Sequence, residues 1–330
     1  MGERTTTAAI IGPGSFGTAL AQAISRNVSD VYLFGRNEEI ISSIKKNRIN
    51  PKYYPQTELN PNIKAFNLAI DCDLLETADL VVFSVPSGVT REAAKRLSAH
   101  LKGNLIVSCA KGIEYPSLKL MSQIIQDETS NQRVSSLSGA TFADELMRGF
   151  CCGTTLGINE YASRDTLFDV FRRPYFLLDL SRDVKGVELC GVLKNVYAIA
   201  TGIFDSVSMS HNEHYAFLTM CFKELQRVVQ EFTQDQDLPG KFCGFGDLNL
   251  TANVDKSRNR TLGMFIGKLL IGATAAGSSV VLEGVNSVRA LKKKCKLSHL
   301  DTPIIDFVDA VLQDPSCALG QINEIFAETV

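Results

Sequence analysis

The sequence lacks the features that mark membrane-spanning, fibrous or nucleic-acid-binding proteins. In its 330 residues no apolar run reaches 18 residues, so no membrane-spanning segment is predicted. Neither sign of charge dominates, because 34 basic residues stand against 36 acidic ones, and no block of like charge exceeds Lys292–Lys294, which argues against a polyanionic partner. With 45% hydrophobic and 21% charged residues, the composition is that of a soluble globular protein.

Signals for a secretory leader, for disulfides and for zinc are also missing. Met1–Arg4 leads into an apolar segment without a signal-peptide pattern. The nine cysteines are an odd number and most lie in apolar runs, which is typical of buried thiols in a reducing compartment. His211 and His214 lie three residues apart, but no Cys/His set has the spacing of zinc ligands. We therefore expect a cytoplasmic protein that binds no metal and no nucleic acid and does not insert into a membrane.

The order of apolar segments predicts an α/β fold followed by an all-helical region. Short apolar runs that alternate with amphipathic stretches are typical of a Rossmann-like, doubly wound parallel sheet, whose strands are buried on both faces. The predicted strands lie at residues 8–11, 31–34, 79–85, 104–108 and 134–137. After about residue 184 the strand signal disappears and apolar residues recur at helical spacing. We expect an α/β domain over residues 1–184 and an all-helical domain over residues 185–330.

A glycine-rich turn follows the first predicted strand and opens the first predicted helix. The segment Gly12-Pro13-Gly14-Ser15-Phe16-Gly17 has the G-x-G-x-x-G pattern in this context. Gly12 would permit the tight turn, Gly14 would let a pyrophosphate approach the backbone, and Gly17 would allow close packing of helix on strand. The free N–H groups at the helix start would bind the phosphates. The turn therefore predicts NAD or NADP as the cofactor.

Arg36, at the end of the second predicted strand, bears on the choice between the two cofactors. An NAD-preferring site would place an Asp or Glu there to accept a hydrogen bond from the ribose 2′-hydroxyl. Here the strand ends Gly35-Arg36-Asn37, and a guanidinium can pair with a 2′-phosphate. The sequence thus predicts that NADP is accepted; the alternative is that Arg36 is a solvated surface charge.

Lys194 and Asn195 interrupt an otherwise apolar helical run over residues 186–200. Desolvation would lower the pKa of such a lysine towards neutrality, which suits a group that exchanges a proton with a carbonyl or alcohol oxygen during hydride transfer. The alternative is a lysine that buries its stem and extends its amine to solvent.

Three further segments favour a catalytic interpretation. Lys111 comes just after a predicted strand, where open α/β sheets bind ligands. Asp247 follows a glycine-rich loop, and Ser257, Arg258 and Asn259 precede a helical run at whose start an anion could bind. Two lysines, an aspartate and an Arg-Asn pair suit a small phosphorylated substrate with an oxidisable hydroxyl.

These motifs, in this order, resemble those of the NAD(P)-dependent glycerol-3-phosphate dehydrogenases of the bacterial type. The similarity extends from about residue 8 to the segment Thr302-Pro303-Ile304. Its most specific parts are Leu193-Lys194-Asn195 and Ser257-Arg258-Asn259-Arg260, whereas the glycine turn alone would fit many families.

The resemblance implies reversible conversion of sn-glycerol 3-phosphate and NAD(P)+ to dihydroxyacetone phosphate and NAD(P)H, which supplies glycerol 3-phosphate for phospholipid synthesis. It implies that Lys194 is the general acid/base, that Lys111 and Asp247 polarise and hold the reacting centre, and that the enzyme is a homodimer. The substrate-binding residues would be Lys111, Gly139, Thr141, Lys194, Asn195, Asp247, Ser257, Arg258 and Asn259. The cofactor-binding residues would be Gly12, Gly14, Ser15, Phe16, Gly17, Arg36, Lys111, Ala143, Arg258, Val281 and Glu283.

The sequence departs from the family pattern at two places. Ala140 stands where the family usually has a proline, which predicts a looser loop between Gly139 and Thr141. The segment 206–222 lacks the usual glycine-rich turn and Thr-Arg-Gly-Leu helix. Two alternatives remain at this point: a reductase of keto or hydroxy acids similar to the ketopantoate reductases, and a dinucleotide-binding sensor without turnover. The second is disfavoured because a sensor need not keep Lys111, Lys194 and Asp247 together.

Overall fold

The computed structural model describes residues 6–172, 174–208, 210–268 and 279–327, with side chains from residue 284 onward in the last range. The chain divides into two compact units, Met1–Ala110 with Met121–Lys185, and Lys111–Leu120 with Gly186–Val330. The sequence-based division left residues 111–120 in the first domain. They group instead with the second unit, because Ile113 and Leu120 are buried in its apolar core.

The first unit is built on a parallel sheet flanked by helices. Its strands are β1 (Thr7–Ile11), β2 (Asp30–Gly35), β3 (Ile49–Asn50), β4 (Tyr54–Glu58), β5 (Ile63–Asn67), β6 (Leu80–Phe83), β7 (Leu105–Ser108), β8 (Val134–Ala140), β9 (Cys152–Gly157) and β10 (Phe176–Ser181). Its helices are α1 (Ser15–Ile24), α2 (Glu38–Asn47), α3 (Thr90–Leu97), α4 (Met121–Thr129), α5 (Ala143–Met147) and α6 (Arg164–Val170). Strands β3 and β4 form a separate antiparallel ribbon.

The strand order in the large sheet is β10-β9-β8-β7-β6-β1-β2-β5. The chain proceeds outward from β1 in both directions, so the predicted doubly wound, Rossmann-like architecture is confirmed. All neighbours are parallel except β8 and β9. The five predicted strands are present. The sequence prediction missed β5, β9 and β10, and it did not anticipate the antiparallel pair.

Burial on both faces explains why the central strands read as continuous apolar runs. Ile10 and Ile11 are both fully buried, but they point to opposite faces because side chains alternate along a strand. Ile10 packs into the apolar cluster that contains α1 residues such as Leu20. Ile11 packs into the cluster on the other face, with Phe34 and Phe83. Helices therefore pack on both faces of the sheet.

The second unit is helical. It contains most of α7 (Val184–Val207), then α8 (His211–Phe232), α9 (Asp247–Asn253), α10 (Arg258–Gly267), α11 (Ser279–Leu297), α12 (Pro303–Gln313) and α13 (Ala318–Ala327). Among the described helices, α7 alone is long and apolar enough to span a membrane, but 94% of its most apolar window is buried within the chain. That burial is typical of the core helix of a soluble protein.

Two sets of contacts join the helices of this unit. A Cβ on Gly202 would lie 2.1 Å from the carbonyl oxygen of Arg260, and one on Gly263 would lie 2.2 Å from that of Ile199, so α7 and α10 cross in backbone contact. In the second set, the buried carboxylate of Glu224 on α8 accepts hydrogen bonds from the start of α12. The donors are the backbone N–H groups of Ile304, at 2.8 Å, and Ile305, at 3.0 Å. Burial raises the pKa of Glu224 to about 7.

Candidate active site

The glycine turn leaves β1 at its carboxyl end, between β2 and β6, which is the point where the strand order reverses. Gly12 has φ +109°, and a Cβ there would lie 2.6 Å from the carbonyl oxygen of Ser84. A Cβ on Gly17 would lie 2.0 Å from the carbonyl oxygen of Gly12. At Gly14, in contrast, no neighbouring atom of the described residues lies within 4 Å of the Cβ position. The turn is therefore closed on the protein side and open at Gly14, which fits the approach of a pyrophosphate to the start of α1.

The ribbon β3–β4 holds this turn, a feature that the sequence prediction missed. The buried side-chain amide of Asn50 donates to the carbonyl oxygen of Pro13 at 3.0 Å and to the hydroxyl of Thr18 at 2.8 Å. The hydroxyl of Tyr54 donates to the carbonyl oxygen of Ser15 at 3.0 Å and lies 2.9 Å from its Oγ. Both polar side chains come from a segment more than thirty residues away, so no local spacing in the sequence could have revealed them.

Several other predicted cofactor residues also lie in the first unit. Phe16 packs partly buried against the apolar cluster under α1. Arg36 is exposed directly after β2, the strand next to β1. Ala143 is the first residue of α5. Two further predicted cofactor residues, Val281 and Glu283, lie on α11 in the second unit. They belong to the stretch of α11 whose side chains are outside the described residues.

Gly139 and Thr141 lie at the carboxyl end of β8 and just beyond it. Gly139 is paired with Thr154 of β9, and a Cβ there would lie 2.4 Å from the carbonyl oxygen of Gly153, so close strand packing already requires a glycine. The Oγ1 atom of Thr141 is buried and has no hydrogen-bond partner in the part of the chain that the structure describes. A ligand oxygen could satisfy it.

In the second unit, Lys194 lies on the buried face of α7 with 9% of its surface exposed. Its amine donates to Thr251 Oγ1 at 3.0 Å and lies 3.2 Å from Asp247 Oδ1. The alternative of an amine extended to solvent therefore does not hold. Desolvation, opposed by Asp247 and reinforced by the positive charge of Lys111, lowers the pKa of Lys194 to about 8.

Asp247 is the first residue of α9 and is 2% exposed. Its two carboxylate oxygens contact two lysines, with Oδ2 2.5 Å from the amine of Lys111 and Oδ1 3.2 Å from that of Lys194. Burial alone would raise the pKa of Asp247, but the two ammonium groups hold it below its ordinary value. Asp247 is thus a fixed anion between two cations.

Thr251 is a site residue that the sequence prediction missed. Its hydroxyl donates to Asp247 Oδ1 at 3.2 Å and accepts from the amine of Lys194. Since Thr251 lies four residues after Asp247 on α9, both side chains share one face of that helix. The i, i+4 spacing of Asp247 and Thr251 was the feature of the sequence that could have identified Thr251.

A second chain of contacts connects α7 to α10. The side-chain amide of Asn259 donates to Asn195 Oδ1 at 2.8 Å, and Asn195 Nδ2 lies 3.5 Å from the carbonyl oxygen of Lys111. Ser257 caps α10 by accepting from the backbone N–H of Arg260, and Arg258 is exposed in the first helical turn. The structure therefore brings Lys194, Lys111, Asp247, Asn195 and Asn259 into one polar cluster, with Ser257 and Arg258 beside Asn259.

This cluster can move a proton at neutral pH. A buried amine with a pKa near 8 is populated in both protonation states, and Asp247 and Thr251 fix its position. The start of α10 adds a guanidinium and free N–H groups that suit a phosphate. A dinucleotide-binding sensor without turnover would not need a buried lysine of this kind.

Comparison with protein-family models gives two matches that together span most of the chain. Residues 7–163 match the NAD-dependent glycerol-3-phosphate dehydrogenase N-terminus, and residues 183–318 match the C-terminus of the same family.

Individual proteins give the same result. A glycerol-3-phosphate dehydrogenase [NAD(P)+] of Methanothermobacter thermautotrophicus is 40% identical over 306 residues, covering 93% of each chain. The crystal structure of a glycerol-3-phosphate dehydrogenase from Coxiella burnetii superposes with a TM-score of 0.87 at 26% identity, covering 98% of this chain and 99% of the other. A ketopantoate reductase from Ralstonia eutropha, at 13% identity and a TM-score of 0.53, shares the fold alone.

Proposed function

Since this chain belongs to the NAD-dependent glycerol-3-phosphate dehydrogenase family, we propose that it interconverts sn-glycerol 3-phosphate and dihydroxyacetone phosphate, with Lys194 as the proton carrier. The cofactor is NAD or NADP. The observation that carries the assignment of Lys194 is its buried amine, 3.0 Å from Thr251 Oγ1 and 3.2 Å from Asp247 Oδ1.

The residues of the glycine turn fit a dinucleotide. Gly12, Gly14 and Gly17, with Ser15 and Phe16, would hold the pyrophosphate at the start of α1, where the backbone is open at Gly14. Arg36, exposed after β2, would bind the 2′-phosphate of NADP. When bound there, the nicotinamide would supply or accept the hydride at C2 of the substrate.

Lys194 would act on the oxygen at C2. In the direction of reduction the protonated amine donates its proton to the carbonyl oxygen; in the direction of oxidation the neutral amine removes the proton of the hydroxyl. Asp247 orients the amine and stabilises its charged form, and Lys111 adds a second positive charge that polarises the carbonyl. Thr251 fixes the amine from the other side.

The phosphate end of the substrate would be bound at the start of α10. Arg258 offers a bidentate guanidinium, and the helix N-terminus with Asn259 offers further donors. Asn259 is oriented by Asn195, so its remaining N–H can be directed at the ligand. Gly139 and Thr141 stay predicted substrate-binding residues, and the buried Thr141 hydroxyl, which has no hydrogen-bond partner among the described residues, could bind a ligand oxygen.

In the cell, the reaction would supply glycerol 3-phosphate for phospholipid synthesis. We expect a cytoplasmic homodimer. Its dinucleotide-binding domain would be residues 1–184 without residues 111–120, and its substrate and catalytic domain would be residues 185–330 together with residues 111–120.

Absorbance at the reduced-nicotinamide band tests the proposal. The protein is assayed with NADPH and NADH in turn, against dihydroxyacetone phosphate, dihydroxyacetone and ketopantoate at equal concentration. We expect turnover of dihydroxyacetone phosphate and little of dihydroxyacetone, which lacks the phosphate. Turnover of ketopantoate but not dihydroxyacetone phosphate would overturn the assignment.

A further inference from the structure

His214, in the first turns of α8, lies between two hydrogen-bond acceptors. Its Nδ1 is 2.6 Å from Asp205 Oδ1, and its Nε2 is 2.9 Å from Asn253 Oδ1. The amide of Asn253 cannot rotate freely to offer a donor, because its Nδ2 already donates to the carbonyl oxygen of Asn249 at 2.9 Å. A neutral imidazole has one N–H and could satisfy one acceptor only. The geometry therefore selects the doubly protonated imidazolium.

The charges around His214 agree with this protonation state. The second carboxylate oxygen of Asp205, Oδ2, lies 2.8 Å from Nη2 of Arg260. Arg260 also forms an ion pair with the exposed Asp255. The side chains of His214, Asp205 and Arg260 are 12%, 15% and 13% exposed, so solvent screens their interactions only in part. Asp205 thus has a cationic partner on each of its two carboxylate oxygens when His214 is protonated, whereas Asp255 is 92% exposed and contacts Arg260.

Titratable groups on the same helix also lie near His214, including Tyr215, whose ring centroid is 5.1 Å from that of His214. Glu213, its neighbour, is held by the Ser208 hydroxyl at 2.6 Å, and His211 is exposed one turn earlier. Arg260 and the start of α8 oppose a positive charge on the ring, but the hydrogen bond to Asp205 outweighs desolvation and raises the pKa of His214 above its ordinary value.

This network connects the two segments that carry the proposed site. Asn253 ends α9, the helix that begins with Asp247 and carries Thr251. Arg260 is in the first turn of α10, directly after Arg258 and Asn259. Asp205 is near the end of α7, eleven residues after Lys194. The connection of residues 254–257 between α9 and α10 is therefore held at one end by His214 and at the other by Arg260.

We propose that His214 is a positioning residue for substrate binding: as an imidazolium joining Asp205 to Asn253, it fixes the α9–α10 connection and so places Arg258 and Asn259 for the substrate phosphate. This inference rests on the proposed function for the identity of the substrate. Loss of the ring proton breaks one of the two hydrogen bonds and loosens the connection. The consequence is weaker substrate binding above the raised pKa of His214, with little effect on the proton transfer at Lys194.

Kinetics across pH 6–9 test the proposal through the KM for dihydroxyacetone phosphate. In the parent enzyme we expect KM to rise about tenfold with pH, the effect of one charge-assisted hydrogen bond, whereas kcat should follow only the transition of Lys194 near pH 8, which all the His214 variants share. His214→Gln should have the high KM throughout and no such step. His214→Arg, which stays charged, should keep the low KM at all pH values. Ionisation of the substrate phosphate is common to all variants and cancels in the comparison.

His211→Gln is the matched control, since it makes the same change at an exposed position of the same helix, and it should follow the parent. If His214→Gln gives the same KM profile as the parent, or if His214→Arg gives the high KM of His214→Gln, the proposal is wrong.

NMR titration of the histidine rings in the intact protein gives a readout that does not need activity. The pKa of the His214 ring should lie above the ordinary value of a histidine, and the Asp205→Asn variant should lower it. Absence of turnover in the parent would count against the proposed function, whereas a His214 pKa at or below the ordinary value of a histidine, or one that Asp205→Asn leaves unchanged, would count against the role of His214 whatever the substrate.

Discussion

Replacing Lys194 by methionine should separate catalysis from stability. Methionine keeps most of the length of the side chain and removes its charge. Burial lowers the pKa of Lys194 from 10.5 to about 8 even with Asp247 beside it. At roughly 1.36 kcal/mol per pKa unit, the protonated amine costs about 3 kcal/mol in the folded protein at neutral pH. Because methionine carries no charge, the variant does not have this free-energy cost in its folded state.

We therefore expect Lys194→Met to lose a factor of about 10²–10⁴ in kcat while unfolding at the same or a higher denaturant concentration at pH 7. The sign of the pH dependence follows from linkage. Between about pH 8 and 10.5 the unfolded chain holds a proton on Lys194 that the folded protein has released, so the free energy of unfolding of the parent rises with pH in that window. The variant should lack this rise.

Denaturant unfolding at pH 7 and pH 10, with steady-state kinetics and cofactor binding on the same samples, provides the measurement. Lys292→Met is the matched control, because Lys292 also contacts two carboxylates, Asp306 at 2.9 Å and Asp309 at 2.8 Å, but is 39% exposed. It should keep kcat. The reasoning is refuted if Lys194→Met unfolds several kcal/mol more easily than the parent, or if its kcat is unchanged.

Three further substitutions test other parts of the account. Arg258→Ala should raise the KM for dihydroxyacetone phosphate about tenfold or more, with kcat much less affected, since a charge-assisted contact of about 1.5–3 kcal/mol is lost; equal KM values in variant and parent would remove Arg258 from the phosphate site. Arg36→Ala should weaken NADPH binding relative to NADH in a fluorescence titration, and an unchanged ratio of the two Kd values would favour the solvated-charge alternative. Asn50→Ala removes the buried donor to Pro13 and Thr18, so the free energy of unfolding should fall by about 1–3 kcal/mol and the Kd for NADPH should rise, and a loss of stability without any change in Kd would show that the ribbon does not organise the turn.

The parts of the fold that follow a local rule could be predicted from the sequence. Strands such as β1 and β6 are buried on both faces, so they appear as uninterrupted apolar runs, and α7 shows its helical period over its whole length. β9, with the sequence Cys-Gly-Thr-Thr-Leu-Gly, has no such run, and its pairing with β8 depends on the close approach at Gly139. That approach is a tertiary contact without a local signature.

The candidate site likewise has parts that a local sequence pattern predicts and parts that depend on tertiary contacts. The glycine turn and the Lys194-Asn195 pair are local and were identified from the sequence. That Lys111 contacts Asp247, 136 residues away, is a consequence of how residues 111–120 pack in the second unit, and the sequence supplies the residue types without the contact. The network of His214 lies in the segment 206–222, which departs from the family pattern, and is visible only from the positions of its acceptors.

The most direct test of Lys194 as the proton carrier is the pH dependence of kcat in both directions of the reaction. Oxidation of glycerol 3-phosphate requires the neutral amine and should rise with pH through an apparent pKa near 8, whereas reduction of dihydroxyacetone phosphate requires the protonated amine and should fall through the same value. In Lys194→Met both dependences should disappear from the residual rate. Profiles of the same sign in the two directions, or a transition near pH 8 that persists in the variant, would contradict the account.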